Sequence, residues 1–413
     1  MRGVRISRSP IIPVMSVPRG RLKELAGLFL KLGATAFGGP AAHIAMMEHE
    51  VVRRRGWMTR EEFLDLLGAT NLLPGPNSTK MSLFVGHARA GLAGLLVAGL
   101  AFVLPATAIV LAFAWAYVRF GALPAMPHFF EGIKPVVLAL IAQALVSLGR
   151  TAVKNRFLFA LGAAALAAAF FVHEFLLLAA AGAVSAGAMA IQDFLRKGRG
   201  ADPPTPPEPR SAGRAQPNAP SKKSSLSFFS PLLFSSAAIS SSFSLSALFF
   251  FFLKTGAILF GSGYVLLAFL RADLVERWHW LTSAQLLDAV AVGQFTPGPL
   301  SSTATFIGYV LAGPAGAAVA TAGIFLPAFA FVAACGPFVP RLRASRLVGT
   351  FLDGVNVASL ALMAAVTFQL ARPALVNLPT AALFLASTAV LAIFRINAAW
   401  LVLAGGLLGI AFG

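Results

Sequence analysis

The chain has 413 residues, 58% hydrophobic and only 12% charged, which is too little charged surface for a soluble domain of this size. Apolar runs of about 20 residues recur along it, each long enough for a helix to cross a hydrocarbon core, and the strand alternation of a β-barrel is missing. The net charge of +18 does not indicate nucleic acid, because the basic residues sit in the N-terminal tail, the central linker and short loops, where Lys and Arg are retained on the cytoplasmic side of a membrane.

Residues 1–23, carrying Arg2, Arg5, Arg8, Arg19, Arg21 and Lys23, read as a basic cytoplasmic tail. The first apolar segment is expected to be a mature helix and not a cleaved leader, because it has a close copy deep in the chain. Phe29-Leu30-Lys31-x-Gly33-Ala34-x-x-Phe37-Gly38 returns 223 residues later as Phe252-Leu253-Lys254-x-Gly256-Ala257-x-x-Phe260-Gly261. At the same shift Trp57-x-Thr59 matches Trp280-x-Thr282, Asp65 matches Asp288, and Pro74-Gly75-Pro76-x-Ser78 matches Pro297-Gly298-Pro299-x-Ser301. One residue is then lost, and Gly86, Gly91, Gly94, Leu104-Pro105-Ala106 and Gly132 match Gly308, Gly313, Gly316, Leu326-Pro327-Ala328 and Gly354. So many matches in one order do not arise from hydrophobic composition alone; the chain is one unit written twice.

The fold expected is therefore an all-α polytopic membrane protein of two homologous six-helix halves. The first repeat, 24–195, should hold helices at 24–46, 62–90 (broken at the Pro-Gly-Pro), 92–119, 133–149, 157–172 and 174–195. Residues 196–225 contain seven prolines and seven basic residues against Asp202 and Glu208; such a segment cannot bury apolar area and reads as a flexible, cytoplasmic linker. The second repeat, 226–413, should place helices at 246–270, 285–311, 313–338, 354–371, 378–394 and 397–412. Six crossings per half give 12 spans. A further crossing through Leu226–Phe243 would give 13, invert the second half, and bring Arg341, Arg343 and Arg346 to the cytoplasmic side.

The strongest local chemistry lies at the two breaks, Asn71-Leu72-Leu73-Pro74-Gly75-Pro76-Asn77-Ser78-Thr79-Lys80 and Gln294-Phe295-Thr296-Pro297-Gly298-Pro299-Leu300-Ser301-Ser302-Thr303. Two prolines around a glycine remove two N–H donors and cannot continue a helix, so inside a bilayer the freed backbone groups need protein or a water-filled cavity. The hydroxyl run after each break reads as an N-cap, leaving a helix N-terminus aimed at a possible anion. Broken helices at matching places in two halves point to a transporter's substrate site. Candidate ligating groups are thus Asn71, Pro74, Gly75, Pro76, Asn77, Ser78 and Thr79, with Gln294, Pro297, Gly298, Pro299, Ser301 and Ser302 from the second copy.

Lys31 with Gly38 and Gly39, and Lys254 with Gly261 and Ser262, form a second duplicated feature. A lysine in an apolar helix faces a cavity or snorkels to the headgroups. If both face inward, two cations near two helix N-termini suit a small dianion. Asp65 and Asp288 lie about nine residues before each break; they read either as proton-coupling groups or as interfacial helix ends. Cys335 is the sole cysteine, and His43, Glu48, His49 and Glu50 lack a ligand spacing, so no metal or other cofactor is expected. No nucleophile–base pair and no nucleotide-hydrolysing domain is present, and no enzymatic activity is expected.

The pair FLKLGATAFGGP and FLKTGAILFGSG, together with NLLPGPNST and QFTPGPLSST, resembles the chromate ion transporter family in its long-chain, two-domain form, over nearly the whole chain. The resemblance implies export of chromate across the bacterial inner membrane by a multi-pass antiporter driven by the proton motive force, lowering chromate toxicity. It also implies two halves of opposite orientation, and therefore 13 spans. The second copy departs from the family pattern, with Ser262-Gly263 for Gly39-Pro40 and no counterpart of Asn77 or Lys80. Residue chemistry by itself reaches a secondary transporter for a small anion. Sulfate, of equal charge and similar shape, is the natural competitor, a passive anion channel is the runner-up, and a homodimer is one arrangement the chain could adopt.

Overall fold

The computed structural model describes residues 19–37, 39–121, 123, 125–198, 243–260, 263–335, 345–394 and 397–412. The N-terminal tail up to residue 18, the Pro-rich linker from 199, and the proposed extra crossing before Phe243 lie outside the described residues, as do Arg341 and Arg343. Among the described residues the secondary structure is entirely helical.

The first half comprises α1 (Arg19–Thr35), α2 (Gly39–Glu48) running into a π-helical segment His49–Arg54, α3 (Arg60–Thr70), α4 (Asn77–Phe120), α5 (Ala125–Ala152), α6 (Arg156–Ala168) and α7 (Glu174–Gly198). The second half repeats this order as α8 (Leu245–Ile258), α9 (Leu266–Phe269) running into a π-helical segment Leu270–Arg277, α10 (Ser283–Phe295), a 3₁₀ turn Leu300–Ser302 leading into α11 (Thr303–Cys335), α12 (Arg346–Ala374), α13 (Leu378–Ile393) and α14 (Ala398–Phe412). The duplication extends to local signals. Both α3 and α10 open on a capping box, Thr59 with Glu62 and Thr282 with Gln285. The apolar segment expected at 24–46 is not one helix: it breaks after Thr35, restarts at Gly39 and continues to Arg54.

Within α4 the backbone reverses at Ala90 and Gly91, and within α11 at Ala312 and Gly313. The φ of +61° at Gly91 and +60° at Gly313 is why glycine stands there. The result is an antiparallel pair of helices whose glycines almost touch: a Cβ on Gly86 would meet Gly94 O at 2.3 Å. Leu92, Leu96, Leu100 and Leu104, one turn apart on the long arm of α4, are about half exposed, while Ser78, Thr79, Lys80 and Ser82 on the short arm are buried. Apolar outside and polar inside is the pattern of a chain whose solvent is lipid. Among the described residues five helices are long and apolar enough to cross a membrane, namely α4, α5, α7, the 300–335 segment and α12, with four shorter apolar helices beside them.

The halves do not sit side by side. In each half the first helix packs on the long arm of its own hairpin helix, α1 on α4 and α8 on α11, but α5 packs on α13 and α14 of the other half, and α12 packs on α6 and α7. Glycine permits the close approach at both places: a Cβ on Gly132 of α5 would lie 2.2 Å from Gly405 O, and one on Gly354 of α12 would lie 2.4 Å from Ala181 O. Between the equivalent helices α5 and α12, Gly149 lies against Leu360 and Lys154 against Asp353, so contacts advance along one helix as they retreat along the other. Equivalent helices running antiparallel are what inverted repeats require.

Candidate functional site

The Pro-Gly-Pro breaks are joined crosswise. Gly75 N–H donates to Leu259 O at 2.7 Å, and Gly298 N–H donates to Ala36 O at 2.9 Å. Leu259 and Ala36 are equivalent positions, each at the break after the first helix of its half. The glycine N–H inside each break is thus satisfied by a carbonyl at the other half's broken helix, as burial in an apolar medium demands. Gly75 and Gly298 take φ of +108° and +92°, a region costly to any residue with a Cβ. Their absent side chains make room for the opposite half's Leu-Pro-Ala motif: a Cβ on Gly75 would lie 3.0 Å from Ala328 Cβ, and one on Gly298 would lie 2.6 Å from Ala106 Cβ.

The helix after each break starts differently from the sequence expectation. Pro76 and Pro299 occupy the N-cap positions, with no side-chain cap, because the proline ring already sets the extended backbone a cap requires. Ser78, Thr79, Ser301 and Ser302 fall within the first turn and are buried. Of these, Thr79 Oγ1 and Ser301 Oγ have no hydrogen-bond partner.

The lysines are paired. Lys31 Nζ lies 3.1 Å from Glu50, which also binds Arg54 at 2.9 Å, and Lys254 Nζ lies 3.5 Å from Asp273, which also binds Arg277 at 3.6 Å. These three members of one cluster are equivalent to those of the other, and Arg55, 3.4 Å from Glu50, joins the first cluster alone. Each carboxylate sits on the π-helical segment following the break, and that segment's wider turn brings its lysine and arginine partners together. Each lysine's charge is thus answered by a carboxylate, a partner that neither the inward-facing nor the headgroup reading assigns. It went unseen in the sequence because Glu50 and Asp273 correspond in position but not in residue type. Lys80 is fully buried and donates to Thr70 O at 2.6 Å and to Leu73 O. It therefore satisfies the carbonyls at the C-terminal end of α3, a task absent from the second half, where Thr303 stands in its place. His43 is likewise structural: Nε2 bonds Ala36 O at 3.0 Å.

A cavity of about 710 Å³ lies between the halves. Asn71 and Gln294, equivalent amides at the ends of α3 and α10, both line it, with Asn77, Gly39 and Pro40; Asn77 Nδ2 donates to Asn71 Oδ1 at 3.3 Å. Facing them are Gln143, Ser147 and Thr151 of α5 and Asn356 and Ser359 of α12. Ser359 Oγ and Asn77 Oδ1 are buried without a hydrogen-bond partner. Among the described residues, Lys154 and Asp353, 2.6 Å apart, are the only charged side chains in the lining. Of the residues singled out from the sequence, Gly39, Asn71, Asn77 and Gln294 meet in this cavity. Lys31, Lys254, the Pro-Gly-Pro residues and the four hydroxyls do not line it, and Gly38, Gly261 and Ser262 lie outside the described residues. The α5 and α12 residues were missed, although Gln143, Ser147 and Thr151 recur every fourth residue along α5, a polar stripe that marks an inward face.

The two aspartates diverge. Asp65 is exposed on α3. Asp288 on α10 is buried, and its Oδ2 accepts from Tyr117 Oη at 3.0 Å. Tyr117 is held edge-on between Phe130 and Phe306, at 5.0 and 5.1 Å, and lines a second, aromatic cavity of about 610 Å³ with Phe113, Phe295 and Trp400.

A family model described as chromate transporter matches residues 23–186 and again residues 246–410. The chain is 33% identical over 398 residues to a chromate transport protein of Cupriavidus metallidurans, covering 96% of this chain and 94% of that one. It is 31% identical over 405 residues to a chromate transport protein of Pseudomonas aeruginosa, with 96% and 92% covered, and 33% identical over 367 residues to a probable chromate transport protein of Synechococcus elongatus, with 88% of each covered. No solved structure matches it.

Proposed function

The chain belongs to the chromate transporter family, and from that premise we propose that it exports chromate from the cytoplasm across the bacterial inner membrane in exchange for protons. The observation that carries the site is the 710 Å³ cavity between inverted, interlocked halves, into which the equivalent amides Asn71 and Gln294 converge. Chromate is a compact tetrahedral dianion, and the amides and hydroxyls of Asn71, Asn77, Gln143, Gln294, Ser147, Asn356 and Ser359 offer neutral donors to its oxygens. Neutral donors suit a transported ion, since a site of several fixed cations would hold a dianion too firmly to release it. Sulfate meets the same donors and competes.

Exchange of access from one side to the other follows from the pseudo-symmetry. Inverted repeats can adopt each other's conformation, so the cavity opens alternately to the two faces. Asp288, buried and bonded to Tyr117 from the opposite half, is the coupling group; Asp65, exposed, takes no part. The decisive experiment is chromate uptake into everted membrane vesicles with and without a protonophore. Uptake should collapse when the gradient is dissipated; uptake indifferent to it would make the protein a passive channel.

A further inference from the structure

We propose that Lys154 and Asp353 form an anion-operated latch between the two halves, in which an entering oxyanion takes Lys154 away from Asp353. The proposal rests on the reading of the cavity as the oxyanion site.

Lys154 follows the C-terminus of α5 in the first half, and Asp353 lies in the second turn of α12 in the second half. Their 2.6 Å pair therefore ties together the two helices that cross at the centre of the swapped arrangement. Among the described residues the other lining side chains are neutral, so within that lining this pair decides the net charge an entering ion meets. With the pair closed that charge is zero. An ammonium has three donors and no acceptor, and at equal distance a dianion attracts it twice as strongly as a carboxylate does. The lysine side chain is 59% exposed and the aspartate's 28%, and a pair so exposed to solvent is weakly held. Once Lys154 turns to the dianion, the uncovered Asp353 carboxylate repels that same ion and is driven from it. Occupancy thereby severs a contact between halves, which is the event alternating access requires.

The latch exists once. The positions equivalent to Lys154 and Asp353 are Val376 and Glu131, which cannot form such a pair. The two mouths of an otherwise pseudo-symmetric path are therefore unlike, and only one of them is released by substrate.

The test compares chromate and sulfate binding to the purified full-length chain by ligand-induced thermal stabilisation, for wild type, Lys154→Gln, Asp353→Asn and the double variant. A static pair beside the site shifts affinity by charge alone, with opposite but additive effects of the two variants. The latch predicts coupled ones: Lys154→Gln weakens oxyanion binding about fivefold, and Asp353→Asn strengthens it by a similar factor, the scale of an exposed ion pair, but strengthens it much less in a chain that also carries Lys154→Gln. Wild type stabilised by the oxyanions, with both variants moving the same way, neither moving, or additive effects in the double variant, overturns the latch alone. Wild type stabilised by neither anion overturns the proposed function and the latch with it.

Discussion

Replacing Gly298 by alanine should damage the fold more than the same change at any other glycine of positive φ for which the neighbouring atoms are defined. Two costs add. The backbone at φ +92° must be held with a Cβ present, about 1 kcal/mol or somewhat more. The new methyl must also fit 2.6 Å from Ala106 Cβ and 3.1 Å from Gly33 O, and since both neighbours are short or backbone, relief requires shifting helices, about 1–3 kcal/mol. The sum is roughly 2–4 kcal/mol, with the Gly298–Ala36 hydrogen bond strained as the backbone moves. Gly75→Ala meets Ala328 Cβ at 3.0 Å and should cost less. Gly91→Ala, at φ +61° with nothing within 4 Å, should cost only the backbone part. Thermal unfolding in detergent, followed by tryptophan fluorescence, should rank the midpoints Gly91→Ala above Gly75→Ala above Gly298→Ala. A Gly298→Ala protein as stable as Gly91→Ala would refute the claim that the break is clamped by the opposite half.

Lys80→Met should lower the unfolding midpoint through about 1–3 kcal/mol for each carbonyl left without its donor, Thr70 O and Leu73 O losing the lysine they share; an unchanged midpoint would remove Lys80 from the support of the first break. Asp288→Asn should abolish the response of vesicle uptake to a proton gradient while leaving oxyanion-induced thermal stabilisation intact, and Tyr117→Phe should weaken the response without removing it. Retained gradient sensitivity in Asp288→Asn would place coupling elsewhere. Asn71→Leu combined with Gln294→Leu should cut chromate affinity at least tenfold, since each removed donor to an anion is worth about 1.5–3 kcal/mol; wild-type affinity would move the substrate out of the cavity.

The helices themselves were legible because lipid imposes its own punctuation: apolar runs, prolines and glycines mark starts, breaks and reversals with little interference from tertiary packing. The expected end of one helix at 90 and start of the next at 92 bracket the reversal at Ala90 and Gly91. The repeat likewise made Gly75 and Gly298 visible as a pair. What the sequence could not say is which groups answer which. Matching Pro-Gly-Pro motifs do not reveal that each is satisfied by the other half's Leu259 or Ala36, since a hydrogen bond to a backbone carbonyl leaves no trace in residue type. The site was legible in part for the same reason. Asn71 and Gln294 stand beside the breaks, whereas Gln143, Asn356 and Asp353 enter the cavity from helices that motif reasoning passed over, brought there by the exchange of partners between halves.

That exchange bears on how the chain comes to be assembled. Helix α5 is made early, yet the surface its Gly132 fits, around Gly405 and Gly409, is synthesised only after most of the second half. Until then α5 has lipid where its neighbours will be, and contacts of such sequence separation form slowly. The first half thus completes its packing only when the second is in place.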